Sequence, residues 1–218
     1  MIGTGYVGLV SGACIADFGH EVTCVDKDGT KISALNSGEI PIYEPGLKDI
    51  VQSNVRQGRL QFTTALSEAL KGANAAFIAV GTPSRRGDGH ADLSYLYEAA
   101  REIAATLTEF TVIITKSTVP VGTGDEVERI IRELRPDIDV AVVSNPEFLR
   151  EGAAIHDFKH PDRIVIGTDD DARLVHRRQA DEPGAVLVAG VAAAFLLVRR
   201  AGLAAHRVAD GLRLGRRA

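Results

Sequence analysis

A chain of 218 residues is long enough for one sizeable α/β domain, or for one domain and part of a second. The net charge of −4 is unevenly spread: residues 174–218 hold eight arginines against Asp181, Glu182 and Asp210, a local +5 that leaves the rest at −9. An acidic body argues against nucleic acid as a partner, because duplex binding draws on cationic contacts to phosphates.

In chain order, Met1 and Ile2 lead directly into Gly3-Thr4-Gly5-Tyr6-Val7-Gly8. The glycines of a G-x-G-x-x-G pattern allow a tight turn, close approach of backbone to a pyrophosphate, and close packing of the following helix. Such a turn calls for a strand of about five or six residues ahead of it, so the first strand reads as truncated. Loss of a central ladder is expected to leave backbone groups of both neighbours without partners. A helix follows over about Tyr6 to Phe18, apolar at Val7, Val10, Cys14 and Phe18 and stopped by Gly19. The alternating run Glu21-Val22-Thr23-Cys24-Val25 predicts a strand that ends in Asp26, eighteen positions after Gly8. A carboxylate there accepts hydrogen bonds from an adenosine ribose and favours NAD over NADP. Cys14 and Cys24 are the whole cysteine complement and read as core thiols of a reducing compartment. With no charged leader or cleavage pattern before Gly3, the expected location is cytoplasmic.

Further on, Lys31 to Asn36 predicts a short helix, 41–46 a proline-stiffened loop, Leu47 to Arg56 a helix and Leu60 to Phe62 a strand. The βα period continues with a helix at Leu66 to Leu70, a strand at Ala75 to Val80, a loop over 81–92 and a helix at Leu93 to Leu107. A strand at Thr111 to Lys116 and a helix at Gly122 to Leu134 follow, the helix with Val127, Ile130, Ile131 and Leu134 on one face. Val140 to Val143 is a near-continuous apolar strand, and Ile164 to Gly167 predicts one more. Apolar strands alternating with helices define a doubly wound, mostly parallel, Rossmann-like α/β sheet over residues 1–173. From residue 174 the composition turns to Ala, Val, Leu, Gly and Arg, with an uncharged run from Gly184 to Val198. Fifteen apolar residues fall short of the roughly 20 that span a bilayer, which argues against a membrane anchor. The segment reads either as a helix packed on the domain or as a tail foreign to the fold, such as the product of a shifted reading frame.

Three loops at the carboxyl ends of strands could carry chemistry, since ligands of open α/β sheets bind there. Gly81-Thr82-Pro83 offers a hydroxyl for a phosphate or ribose, or is an ordinary strand-ending turn. Lys116-Ser117-Thr118-Val119-Pro120-Val121-Gly122 puts a hydroxyl at the same edge. In Asn145-Pro146-Glu147-Phe148-Leu149-Arg150-Glu151-Gly152 the two carboxylates lie four apart and face one side if the segment is helical. They can hold sugar hydroxyls, orient water or act as a general base, or else form a solvated face paired with Arg150. No metal ligand set is expected.

These segments, together with Pro41 to Leu47 and His160-Pro161-Asp162-Arg163-Ile164-Val165-Ile166-Gly167, resemble the amino-terminal half of the UDP-glucose/GDP-mannose dehydrogenase family over about residues 1–173. The Phe-Leu-Arg-Glu-Gly wording followed by His-Pro-Asp-Arg is more similar to the UDP-glucose branch. The resemblance implies an NAD-dependent four-electron oxidation of the C6 alcohol of UDP-glucose to the carboxylate of UDP-glucuronate, with two NAD used in succession. It implies that Gly3, Gly5, Val7, Gly8, Asp26, Lys31, Thr82, Thr118 and Glu151 contact NAD. It implies further that Glu147, Phe148, Leu149, Arg150 and Glu151 line the sugar-nucleotide site, and that Thr118 and Glu147 are catalytic, positioning a water. In the family the reaction passes through a thiohemiacetal and a thioester on a cysteine of a second domain, assisted there by a lysine, an asparagine and an aspartate. Nothing after Leu174 matches that segment, or the long helix that carries the family's dimer interface. Neither Cys14 nor Cys24 suits the role, because a nucleophile needs exposure and a lowered pKa. The expectation is therefore a cofactor domain inactive by itself. The alternatives are a stand-alone NAD-binding or interaction module, or a dehydrogenase for another sugar nucleotide such as GDP-mannose or a UDP-N-acetyl sugar.

Overall fold

The computed structural model describes residues 1–167 apart from residues 86 and 88. The basic tail and its apolar run lie outside the described residues. Five strands, β1 (Val22–Val25), β2 (Leu60–Thr63), β3 (Ala75–Ile78), β4 (Thr111–Thr115) and β5 (Val140–Ser144), pair in parallel as β1 with β2, β3 with β4 and β4 with β5. The two groups are joined by Ile2, which bridges in parallel to Val25 on one side and Ile78 on the other. The spatial order is therefore β2, β1, the leading Met1–Ile2 segment, β3, β4, β5. Chain order runs outward in one direction and then reverses, which puts the topological switch point between the leading segment and β3.

That segment corrects the expectation of an unpaired central ladder. Ile2 donates to Phe77 O at 2.7 Å and accepts from Ala79 N at 2.8 Å. On the other side Gly3 donates to Val25 O and Val25 to Met1 O, each at 2.8 Å. Two residues close the ladder where it reaches the rim, the part that shapes the loops beyond it.

Alternate residues of the strands feed two cores, as a pleated sheet requires. Phe77, Ile114 and Val143 face α1 (Tyr6–Asp17), α2 (Gly29–Asn36), α3 (Leu47–Arg56) and α7 (Ala154–Lys159), among Leu9, Cys14, Leu35 and Val51. Ile78, Ile113 and Val142 face α4 (Leu66–Leu70), α5 (Ser94–Thr106) and α6 (Thr123–Leu134), among Leu96, Ile103, Val127 and Ile131. Helices on both faces of a parallel sheet make the doubly wound layer architecture. Gly19, with φ of 101°, takes the left-handed turn that stops α1, a conformation other residues rarely adopt. On α6, Val127, Ile130 and Ile131 are buried as read from the sequence, but Leu134, the last residue of the helix, is 52% exposed. Among the described residues no helix is long and apolar enough to cross a membrane.

Two local expectations fail. Ile164–Gly167 is not a strand: Gly167 alone bridges Ser144, and antiparallel. Residues 145–150 are not helical, so the spacing of four does not place Glu147 and Glu151 on one side. Pro146 biases Asn145 away from helical backbone, and Gly152, with φ of 84°, turns the chain before α7 begins.

Candidate functional site

Because the strands are parallel, every loop that follows one opens on the same rim. At its centre, Gly3 and Gly8 are needed for different reasons. Gly3 has φ of 99°, and a Cβ there would stand 2.6 Å from Ala79 O. A Cβ on Gly8 would stand 2.0 Å from Gly3 O, so the helix can seat on the turn only without one. Gly5 differs from both: it is exposed, and nothing lies within 4 Å of where its Cβ would be. Gly5 is also the N-cap of α1, with no side-chain cap and no acidic residue in the first turn. Free N–H groups beside open space form a cradle of the kind that receives a phosphate.

Asp26, just past β1, is next to this turn. Its Oδ2 accepts from Thr4 N at 2.9 Å and Thr4 Oγ1 at 2.7 Å, and its Oδ1 accepts from Asp28 N at 3.0 Å. Three of about four lone-pair directions are thereby used to hold the loop, and Oδ1 keeps capacity for a ligand hydroxyl. Burial pushes the Asp26 carboxyl up, but the Thr4 and Asp28 hydrogen bonds and the Lys31 charge outweigh it and hold it below its usual value. Lys31 Nζ lies 3.9 Å from Asp26 Oδ2. Val7 is half-buried against the α1 core.

Thr82 follows β3 and is half-buried, and Thr118 follows β4 and is exposed. Ser117 between them is committed: its hydroxyl donates to Val80 O at 2.7 Å and fastens the loop after β4 to the end of β3. Beyond β5, a cleft of about 400 Å³ is lined by Lys116, Asn145, Glu147, Phe148, Leu149 and Arg150, with α7 and residues 160–164 as its far wall. Glu147 is half-buried and its Oε2 is buried without a hydrogen-bond partner. Burial raises its pKa, with its own backbone amide and the Lys116 charge opposing. Arg150 is turned to Asp157, donating from N and Nε to Oδ2 at 3.0 Å each and from Nη2 to Oδ1 at 2.6 Å. Asp157 is held at about 2 by those bonds. Glu151 is exposed and outside the cleft lining, on the side where its charge reaches Tyr6.

Most of the sequence-predicted residues thus fall into two groups on one rim, Gly3, Gly5, Val7, Gly8, Asp26 and Lys31 around the glycine turn and Glu147 to Arg150 in the cleft, while Thr82 and Thr118 lie in the loops after β3 and β4 and Glu151 lies outside the cleft. Sequence reasoning gave no role to Glu44, which is 6% exposed. It accepts from Tyr6 Oη, from Gly152 N at 2.8 Å and from Ala154 N at 2.9 Å. It gave none to the Lys116 ammonium or to α7 either. The available signals were a glutamate between Tyr43 and Pro45 in an otherwise rigid loop, and the apolar Ala154, Ile155 and Phe158 at helical spacing.

A doubly wound sheet whose switch point carries this glycine turn and a hydrogen-bonding acid defines a dinucleotide-binding domain. Residues 1–180 match the NAD binding domain of the UDP-glucose/GDP-mannose dehydrogenase family, and the chain belongs to that family. It is 74% identical over 169 residues to the UDP-glucose 6-dehydrogenase of Rhizobium meliloti (strain 1021), covering 78% of this chain and 39% of that protein. Among solved structures, a UDP-glucose dehydrogenase from Pyrobaculum islandicum superposes with a TM-score of 0.73 at 43% identity, over 78% of this chain and 40% of that one. A GDP-mannose dehydrogenase from Pseudomonas aeruginosa, solved as a ternary complex, gives 0.75 at 36% identity over 92% and 49%. The chain spans less than half the length of each.

Proposed function

We propose that this chain supplies the cofactor-binding half of an NAD-dependent oxidation of UDP-glucose at C6 to UDP-glucuronate. The observation that carries this reading is the sharing of one rim by the glycine turn and the Glu147–Arg150 cleft, so that a dinucleotide and a sugar can lie side by side. On this reading the Gly3, Gly5 and Gly8 turn and the α1 N-terminus receive the pyrophosphate, while Asp26 and Lys31 hold the adenosine ribose. Val7, Thr82, Thr118 and Glu151 complete the NAD contacts. Bound NAD supplies the hydride acceptor. Glu147 and Thr118 orient a water, with Glu147 taking its proton, and Phe148, Leu149 and Arg150 border the sugar nucleotide in the cleft, with Glu151 at its edge outside the lining. Residues 1–173 form the unit that does this, with 174–218 outside it.

By itself the polypeptide is a binding module. Cys14 and Cys24 are fully buried free thiols, and burial raises them to about 12 and about 11, the opposite of an activated nucleophile. Unpaired thiols also suit a reducing compartment, which supports a cytoplasmic location. Calorimetry with NAD, and NADH absorbance in the presence of NAD and UDP-glucose, test both statements. We expect NAD to bind with Kd below about 1 mM, better than about −4 kcal/mol, and no NADH to form. Absent NAD binding refutes the cofactor role, and NADH production refutes the binding-only role.

A further inference from the structure

The cleft contains a buried cation that none of the roles above uses. Lys116, the first residue after β4, is 6% exposed. Its Nζ donates to Asn145 Oδ1 at 3.1 Å and stands 5.6 Å from the centroid of the Phe158 ring. Asn145 donates in turn from Nδ2 to Val165 O at 2.8 Å. The ammonium is therefore fixed by the end of β5 and by α7, and its strut is anchored on the segment that follows α7.

Two residues beyond Asn145, Glu147 lines the same cleft with a buried, unpartnered Oε2. A buried carboxylate oxygen without a donor is costly unless a nearby charge compensates or a ligand brings the donor. The other charged groups of the cleft are committed or peripheral. Arg150 and Asp157 are paired with each other, the Arg163 guanidinium lies 4.7 Å from the Phe148 ring centroid, and His156, His160 and Asp162 are exposed at the mouth. Lys116 is the buried cation left to face Glu147.

We infer that Lys116 is a positioning residue: its ammonium, braced by Asn145 and Phe158, keeps Glu147 ionised inside the cleft, ready to accept a proton from a ligand hydroxyl or water. The inference rests on the proposed role of Glu147. It has a physical signature of its own, because the coupling of two charges acts equally on both. Burial lowers Lys116 to about 8 while the Glu147 charge raises it, and burial raises Glu147 while the Lys116 charge lowers it. Each group offsets the other's desolvation.

The test is a side-chain NMR titration of the 218-residue chain, following the Glu147 carboxyl in the parent, Lys116→Met and Lys116→Arg, and the Lys116 ammonium in the parent and Glu147→Gln. We expect Lys116→Met to raise the Glu147 midpoint by roughly one pH unit, as loss of a close opposite charge does. Lys116→Arg should leave it near the parent value, and Glu147→Gln should lower the Lys116 midpoint by the same amount. An unmoved Glu147 in Lys116→Met, or an unmoved Lys116 in Glu147→Gln, overturns the inference. If Lys116→Met does not fold, the Glu147→Gln arm decides, since that side chain is half-buried and the substitution keeps its shape. Calorimetry with NAD on the same parent separates the two failures. Lost coupling with NAD binding intact overturns the positioning role alone, whereas coupling without NAD binding overturns the cofactor reading and, with it, the purpose given to the pair.

Discussion

The Glu44 carboxylate accepts a hydrogen bond from the amide of Gly152 at 2.8 Å, across 108 positions of sequence. The same carboxylate takes the hydroxyl of Tyr6, the first residue of α1, and the amide of Ala154, the first residue of α7. One buried acid thereby locks the helix of the glycine turn to the end of the Glu147–Arg150 segment. Burial pushes Glu44 up, but the Tyr6, Gly152, Ala154 and Ile155 hydrogen bonds outweigh it and hold its pKa below 4.5.

Glu44→Ala leaves a hydroxyl and two amides without their acceptor, each worth about 1–3 kcal/mol when buried, and should cost about 3 kcal/mol or more in urea unfolding. Glu44→Gln keeps an acceptor and should cost less, about 1–2 kcal/mol. Both variants within half of about 1 kcal/mol of the parent would show that the clamp contributes little.

The pH dependence has a definite sign. Glu44 is lowered on folding, so its stabilising contribution is complete above its unfolded value of 4.5 and is lost as pH falls through the lower folded value. The stability gap between parent and Glu44→Gln should therefore be constant near neutrality and shrink below about pH 4.5. A gap that widens on acidification contradicts this assignment of charge.

Gly5 and Gly8 should respond oppositely to alanine. Gly8→Ala drives a Cβ to 2.0 Å from the Gly3 carbonyl, a backbone atom that cannot swing aside, and should destabilise the fold by about 3 kcal/mol or more. Gly5→Ala meets no atom within 4 Å and should melt within a few degrees of the parent. It should instead weaken NAD binding about tenfold, because the methyl group enters the space proposed for the pyrophosphate. Normal NAD affinity in a folded Gly5→Ala protein would place the phosphates elsewhere.

Asp26→Asn replaces an acceptor-only carboxylate by an amide at the proposed ribose contact. NAD should bind about 5- to 150-fold more weakly, the equivalent of about 1–3 kcal/mol, while NADP loses less because the repulsion of its extra phosphate is relieved. Equal losses for both dinucleotides would remove Asp26 from the ribose.

Cys14 and Cys24, both 0% exposed, should resist a disulfide-exchange reagent at neutral pH until the chain is unfolded. Rapid labelling of the native protein would contradict that burial.

The layer architecture was legible because its signals are local. Apolar runs such as Val140 to Val143 match β5, and glycines such as Gly19 mark helix ends that the structure keeps. What escaped depends on partners distant in sequence. Glu44 looks like any loop acid until Gly152 and Ala154 reach it. Lys116 looks like a solvated strand end until Asn145 and α7 cover it. The apolar run Ile164 to Gly167 reads as a strand, yet the antiparallel Gly167–Ser144 bridge is its one strand-like contact. The spacing of Glu147 and Glu151 implied a shared face only for a helix, and residues 145–150 form none, with Pro146 biasing Asn145 away from helical backbone.

The proposed binding of a dinucleotide on one rim of the sheet, beside the Glu147–Arg150 cleft, is checked by amide NMR of the 218-residue chain titrated with NAD. Gly3, Gly5, Val7, Gly8, Asp26, Thr82 and Thr118 should shift together with a single saturation curve. No shifts, or shifts confined to the helices on the faces of the sheet, would contradict it.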